Sequence, residues 1–247
     1  GEFEGIGSIG LEWLKKAKAE TGLHTAVEVA NAKHVEEALA AGVDMLWVGA
    51  RSTVNPFTVQ EIADALQGVD IPVMIKNPIN PDLDLWIGAI ERINHAGIHK
   101  IAAIHRGFST YEKNIYRNVP NWNIPLELKR LIPNIPLFCD PSHICGSLDL
   151  IQHISQKALD LNFYISFSGI ITFNNAETIK DTAKKIPSDK FLIETDSPYL
   201  APTPYRGRPN YPTYVRYVAE KIAELRGISE HKVADMSTKN FYTLFNL

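Results

Sequence analysis

Short runs of aliphatic and aromatic residues recur along the chain. Between them lie longer stretches in which apolar residues return every three or four positions. The short runs are HTAVEV at 24–29, DMLWVGA at 44–50, IPVMIKN at 71–77, KIAAIHRG at 100–107, IPLFCDPSH at 135–143, FYISFSG at 163–169 and KFLIETDS at 190–197. Most are continuous rather than alternating, the pattern of strands covered on both faces. The longer stretches predict helices over 10–19, 32–40, 59–66, 83–96, 148–161, 176–186 and 213–225, several closed by Gly or followed closely by Pro. Strand and helix alternate throughout, which implies a parallel sheet with right-handed crossovers.

At 247 residues, this rhythm favours a (β/α)8 TIM-barrel-like α/β fold over an open doubly wound sheet. No Gly-x-Gly-x-x-Gly follows a strand, which weakens the dinucleotide-binding alternative. Seven strands are evident and the chain opens on a helix, whereas a closed barrel takes eight strands. Either the first ten residues supply a poor strand, or the barrel is incomplete, or another chain fills the gap. An incomplete barrel would leave strand edges open to self-association. No low-complexity linker interrupts the pattern, so residues 1–247 read as a single barrel domain.

Composition narrows the class. Hydrophobic residues make up 45% of the chain and charged residues 21%, enough for a substantial core. The net charge of −3 and the lack of Lys/Arg blocks argue against strong nucleic-acid binding. The apolar runs are strand-sized, so no membrane span is expected. GEFEGIGSIG has no basic start and no long apolar core, so a secretory leader is not expected either. Two cysteines, Cys139 and Cys145, give no disulfide framework and suit a reducing, cytoplasmic setting.

Polar residues repeat at the ends of the strand candidates: Glu28, Arg51, Lys76, His105 and Arg106, Asp140 to His143, and Glu194 to Asp196. In parallel barrels the chemistry sits at those ends. Arg51, Lys76 and Arg106 would face one mouth. Three cations there call for an anion such as a phosphate or carboxylate, so a small phosphorylated acid is the expected ligand.

The phrases FEGIGSIGLEWLKKAKAETGL, VGARSTVNPF, IPVMIKNP, AAIHRGFSTYEKNIYRN and PLFCDPSHICG, within 3–162, resemble 3-deoxy-arabino-heptulosonate-7-phosphate (DAHP) synthase. That resemblance implies condensation of phosphoenolpyruvate with erythrose 4-phosphate on a divalent metal. Arg51, Lys76 and Arg106 would hold phosphoenolpyruvate, and His143 of DPSH would be a metal ligand. The family's Gly-Pro-Cys and Lys-Pro-Arg motifs do not occur in this sequence. Residues 163–247 instead resemble TatD-family metal-dependent hydrolases, through ETDSPYLAP and YRGRPN. There the resemblance makes Asp196 a metal ligand, but the family's His-x-His is absent from the sequence. Arg206 or Arg208 of PYRGRPN could touch a phosphate, although a capping loop explains them as well.

The chain therefore reads as pieces of two enzymes, 1–~155 and ~156–247, joined in or beside the helix at 148–162. An engineered fold chimera is preferred over a natural fusion. The expected function is a scaffold with no intact native active site that keeps weak phosphate or phosphoenolpyruvate binding. The alternatives are a residual aldol-type transferase and a TatD-like phosphodiester hydrolase. No cofactor is required on this reading. His143, Glu194 and Asp196 could form an incomplete hybrid site holding Mn, Mg or Zn weakly.

Overall fold

The computed structural model describes residues 6–245. The chain falls into two compact units, Ala26–Ser147 and a discontinuous one made of Gly1–Thr25 with Leu148–Leu247. It opens with α1 (Ser8–Thr21). The continuous unit then runs β1 (Ala26–Val29), α2 (Ala32–Ala40), β2 (Met45–Val48), α3 (Ala50–Thr53), α4 (Pro56–Ala65), β3 (Val73–Lys76), α5 (Leu83–His95), β4 (Ile101–His105), α6 (Asn123–Leu131), β5 (Leu137–Cys139) and α7 (Pro141–Cys145). The chain returns to the discontinuous unit with α8 (Ile151–Asp160), β6 (Tyr164–Phe167), α9 (Glu177–Lys185), β7 (Phe191–Ile193), α10 (Val215–Arg226) and α11 (Glu230–Phe245).

All seven strands expected from the sequence form. Strands β1 to β5 pair in chain order within their unit, and β6 pairs with β7; each of these pairings is parallel. The fold is α/β and TIM-barrel-like, and no eighth strand is found among the described residues. The first ten residues do not supply one where they are described. Ile6 and Gly7 form a turn and Ser8 opens α1, while residues 1–5 lie outside the described range.

In the unit Ala26–Ser147 the helices begin where the sequence provides caps. Asn31, Asn55 and Asp82 accept backbone N–H groups of α2, α4 and α5, and Pro56 fills the first turn of α4. Helix α5 buries Trp86, Ala89, Ile90 and Ile93, one stripe at i, i+3, i+4 and i+7. The Trp86 indole N–H donates to the Ile75 carbonyl at 3.2 Å, so the ring is buried with its one polar atom satisfied. Leu46, Val48, Val73, Ile75, Ala102 and Ala103 of the strands complete this core.

The expected strand at 135–143 stops at Cys139. Asp140 caps α7 by accepting the His143 N–H at 3.1 Å, and Pro141 opens that helix. Proline cannot donate to a ladder, and its fixed φ suits a helical first turn. Three further helices have no counterpart in the expected set: α3, α6 and α11.

In the discontinuous unit, Phe163, Phe191, Ile171, Ala183, Val218 and Ile222 are buried. Trp13 of α1 packs on Tyr211 with ring centroids 4.5 Å apart. His24 stacks on Phe241 and shares a 2.8 Å hydrogen bond with the Tyr242 hydroxyl. Gly169 follows β6, and a Cβ there would run into the Leu200 carbonyl oxygen. Only glycine permits that close approach.

Candidate functional site

The register of the continuous unit brings successive strand ends level. Val48 lies beside Ile75, Lys76 beside Ile104, and His105 beside Cys139. Past these pairs come the charged residues. Lys76 ends β3, Arg106 follows β4, and Arg51 sits in the first turn of α3 just beyond β2. Thr53 ties α3 to β3 by donating to the Lys76 carbonyl at 2.9 Å.

Asp140 is the centre of the polar network. Its carboxylate meets the Lys76 ammonium at 3.4 Å and His143 Nδ1 at 2.7 Å. Burial alone would raise its pKa. The His143 hydrogen bond and the Lys76 charge more than offset this and hold the carboxyl well below the usual range. The Lys76 ammonium also lies 4.4 Å from the centre of the Trp47 ring.

Arg106 is fixed on two sides by asparagines. Its backbone N–H donates to Asn77 Oδ1 at 2.8 Å, and its guanidinium donates to Asn118 Oδ1 at 3.0 Å. Burial lowers the Arg106 pKa. Asp140 opposes that shift, and Arg117 and Arg51 add to it by repulsion. The mouth of this unit thus carries more positive charge than Asp140 balances. Sequence reasoning missed Arg117 and both asparagines. Arg117 and Asn118 lie in the long connection after β4, where no periodic pattern marks them. Asn77 directly follows Lys76, and a polar residue at the buried end of an apolar run was the one signal for it.

The donors for a metal are sparse. Among the described residues no three His, Cys, Asp or Glu side chains gather as a metal-holding group. Within Ala26–Ser147 the turn after β5 offers Asp140 and His143, fewer than the three protein ligands of a catalytic zinc site. The neighbouring thiols do not add to them. Burial raises Cys139 and pushes Cys145 up to about 12, so both stay protonated. The residues of this unit do not by themselves fit a catalytic metal centre. His143 Nδ1 on a carboxylate is nevertheless the arrangement that orients a ligating histidine.

Glu194 and Asp196 belong to the discontinuous unit. Glu194 continues the β7 pairing by donating its N–H to the Phe167 carbonyl at 2.9 Å. Asp196 has φ 59°, and both side chains are exposed. The loop they start is held from below by Asn210, fully buried, whose amide donates to the Thr195 and Tyr199 carbonyls at 2.8 and 2.6 Å. Asn210 is the last residue of PYRGRPN, so that segment does cap the strand end. Arg206 of the same segment lies over the Phe173 ring at 3.6 Å.

Fold and strand-end polar residues define an α/β protein of the TIM-barrel-like class. Residues 1–166 match the DAHP synthetase I family, more than half of the chain, and the chain belongs to that family over this stretch. Residues 145–246 match the TatD related DNase family, so the chain joins sequence from two families, with α8 in the overlap of the two matches. Among curated proteins it is 55% identical over 96 residues to the uncharacterized metal-dependent hydrolase YcfH of Escherichia coli K12, covering 39% of this chain and 36% of that one. It is 46% identical over 94 residues to the uncharacterized metal-dependent hydrolase YabD of Bacillus subtilis, covering 38% and 37%. The chain thus spans little more than a third of these relatives. Among solved structures, a DAHP synthase of Thermotoga maritima aligns over 91% of this chain and 56% of its own, at TM-score 0.59 and 20% identity. The TatD homolog YjjV of E. coli aligns over 96% and 92%, at TM-score 0.62 and 19% identity. At these identities the two structures show the fold.

Proposed function

We propose that the chain is an engineered fold chimera whose synthase-like unit retains an anion-binding mouth without the catalysis of either parent family. The observation that supports this most is the crowding of positive charge on Arg106, which is part-buried and repelled by Arg51 and Arg117. A phosphate or carboxylate would relieve that repulsion, and arginines bind such groups through paired N–H donors. Phosphoenolpyruvate carries both groups and is the ligand of choice. Turnover is not expected. Within these 247 residues there is no Gly-Pro-Cys, Lys-Pro-Arg or His-x-His, so groups that would orient a second substrate or complete a metal site are missing.

The test is calorimetric titration of folded protein with phosphoenolpyruvate, with and without Mn²⁺. Metal-independent binding, weakened about tenfold or more in Arg106→Ala, is expected from the loss of a charged hydrogen-bonding partner. No binding at millimolar ligand would overturn the anion site. Steady conversion of phosphoenolpyruvate and erythrose 4-phosphate would overturn the absence of catalysis.

A second reading rests on the 55% identity of the C-terminal segment to a metal-dependent hydrolase. It gives the discontinuous unit a divalent metal held through Asp196, read out as metal binding in Asp196→Ala. Unchanged metal binding in Asp196→Ala would remove this reading, and His143→Ala, in the other unit, is the control.

A further inference from the structure

We propose that Asn118 is the positioning residue that sets the anion affinity of the strand-end mouth, by holding the Arg106 guanidinium and the DPSH turn in one hydrogen-bonded frame. This rests on the reading of Arg106 as an anion-binding group. Asn118 is 5% exposed, although it lies in the connection between β4 and α6. Its two amide atoms face different partners. Oδ1 accepts from the Arg106 guanidinium at 3.0 Å and from the Ser109 hydroxyl at 3.4 Å. Nδ2 donates to the His143 carbonyl at 2.6 Å.

The backbone is bound in as firmly. The Asn118 N–H donates to Ile144 at 3.1 Å, and the Arg117 N–H donates to Cys145 at 3.3 Å. Phe108 and Val119 exchange two 2.8 Å hydrogen bonds across the base of the loop. Gly107, at φ 77°, passes so close that a Cβ would stand 2.7 Å from the Asn118 carbonyl oxygen. A long loop carrying Tyr111 and Ile115 into solvent is therefore closed at its root by the Phe108–Val119 pair and by Arg117 and Asn118.

The chemistry requires this side chain. The Arg106 guanidinium is attracted by Asp140 and repelled by Arg117 and Arg51, and the Asn118 amide oxygen is the acceptor that fixes where it sits. A carboxylate in the same place would hold it but cancel its charge. Asparagine supplies the acceptor without the charge, and its amide N–H₂ reaches the turn that presents His143. The fixed orientation is what leaves the remaining guanidinium N–H groups for a ligand.

The test uses sulfate as the probe, because its charge is constant across the range, titrated at pH 8 and pH 5 into the full chain and into Asn118→Ala, Asn118→Asp and Arg106→Ala. Melting temperatures are recorded for each. Asn118→Ala should bind about tenfold more weakly than the parent at both pH values. Asn118→Asp should bind weakest at pH 8. It should remain weakest at pH 5, because a carboxyl that accepts from the Arg106 guanidinium stays ionised there. Weaker binding in the near-isosteric Asn118→Asp than in Asn118→Ala is a readout that loss of packing cannot produce. Parent-like sulfate binding in Asn118→Ala, together with loss in Arg106→Ala, would overturn the proposal and leave the anion site standing. Parent-like binding in Arg106→Ala, or none in the parent, would overturn both. An Asn118→Asp chain that melts below the assay temperature would assign the residue to folding, and the proposal would fall.

Discussion

His105 ends β4 with its side chain wholly buried, between the rings of Phe108 and Trp122 at 5.8 and 5.0 Å. Burial lowers its pKa from 6.5 to about 3, against a smaller upward pull from a hydrogen bond with the Pro120 backbone. The unfolded chain binds a proton here near pH 6.5 and the folded chain does not. The associated stability is complete above pH 6.5 and is lost as pH falls toward about 3. The slope is about 1.4 kcal/mol per pH unit inside that window. Asp140 has the same sign, because its folded pKa is also depressed. Its loss begins only below its unfolded value of about 3.9. A thermal scan series from pH 7 to pH 5 therefore separates the histidine from Asp140. The melting temperature of the parent should fall more steeply over that interval than that of His105→Gln. Parallel slopes would mean that the imidazole charges freely in the fold.

At the scale of elements, Trp13 links α1 to the hydrolase-like part of the chain. It lies within the synthetase match and packs at a tilt on Tyr211, which lies within the hydrolase match. Tyr211 in turn meets Tyr214 edge-on, and Tyr214 stacks on Tyr205 at 4.4 Å. Trp13 is half-buried, so Trp13→Ala should cost about 2 kcal/mol, below the range for a full core aromatic. Urea unfolding followed by circular dichroism measures it, and an unchanged midpoint would show that the contact contributes nothing. The same scale shows where the sequence was legible. Strands announced themselves because both of their faces are apolar. Helix α11 did not, because its buried side includes Ser237 and Asn240. Those polar positions break the apolar repeat, yet Asn240 belongs inside, where its amide donates to the Ser188 and Phe191 carbonyls. The site divided the same way. Arg51, Lys76 and Arg106 stand at strand ends and could be found by position, whereas Asn77 and Asn118 are defined by what they hold. The break of β5 at Asp140 could have been read from Asp-Pro, a cap followed by a helix-opening proline.

For the whole molecule, family boundary and physical boundary do not coincide. The synthetase match begins at residue 1, but residues up to Thr25 cluster with the part that begins at Leu148. Hydrogen exchange tests this directly. In denaturant below the main transition, amides of α1 should lose protection together with those of α10 and α11, and not with those of α4 and α5. Exchange in step with α4 and α5 would place α1 with the other unit. A unit whose two segments flank another in the sequence cannot finish folding until the second of them has been made. The central segment Ala26–Ser147 is under no such delay. A gene rearranged to begin at Ala26 would make each unit one uninterrupted stretch. It needs a linker that joins the segment ending in α11 to the segment beginning with α1. In that circular permutant the order of translation would match the order of assembly.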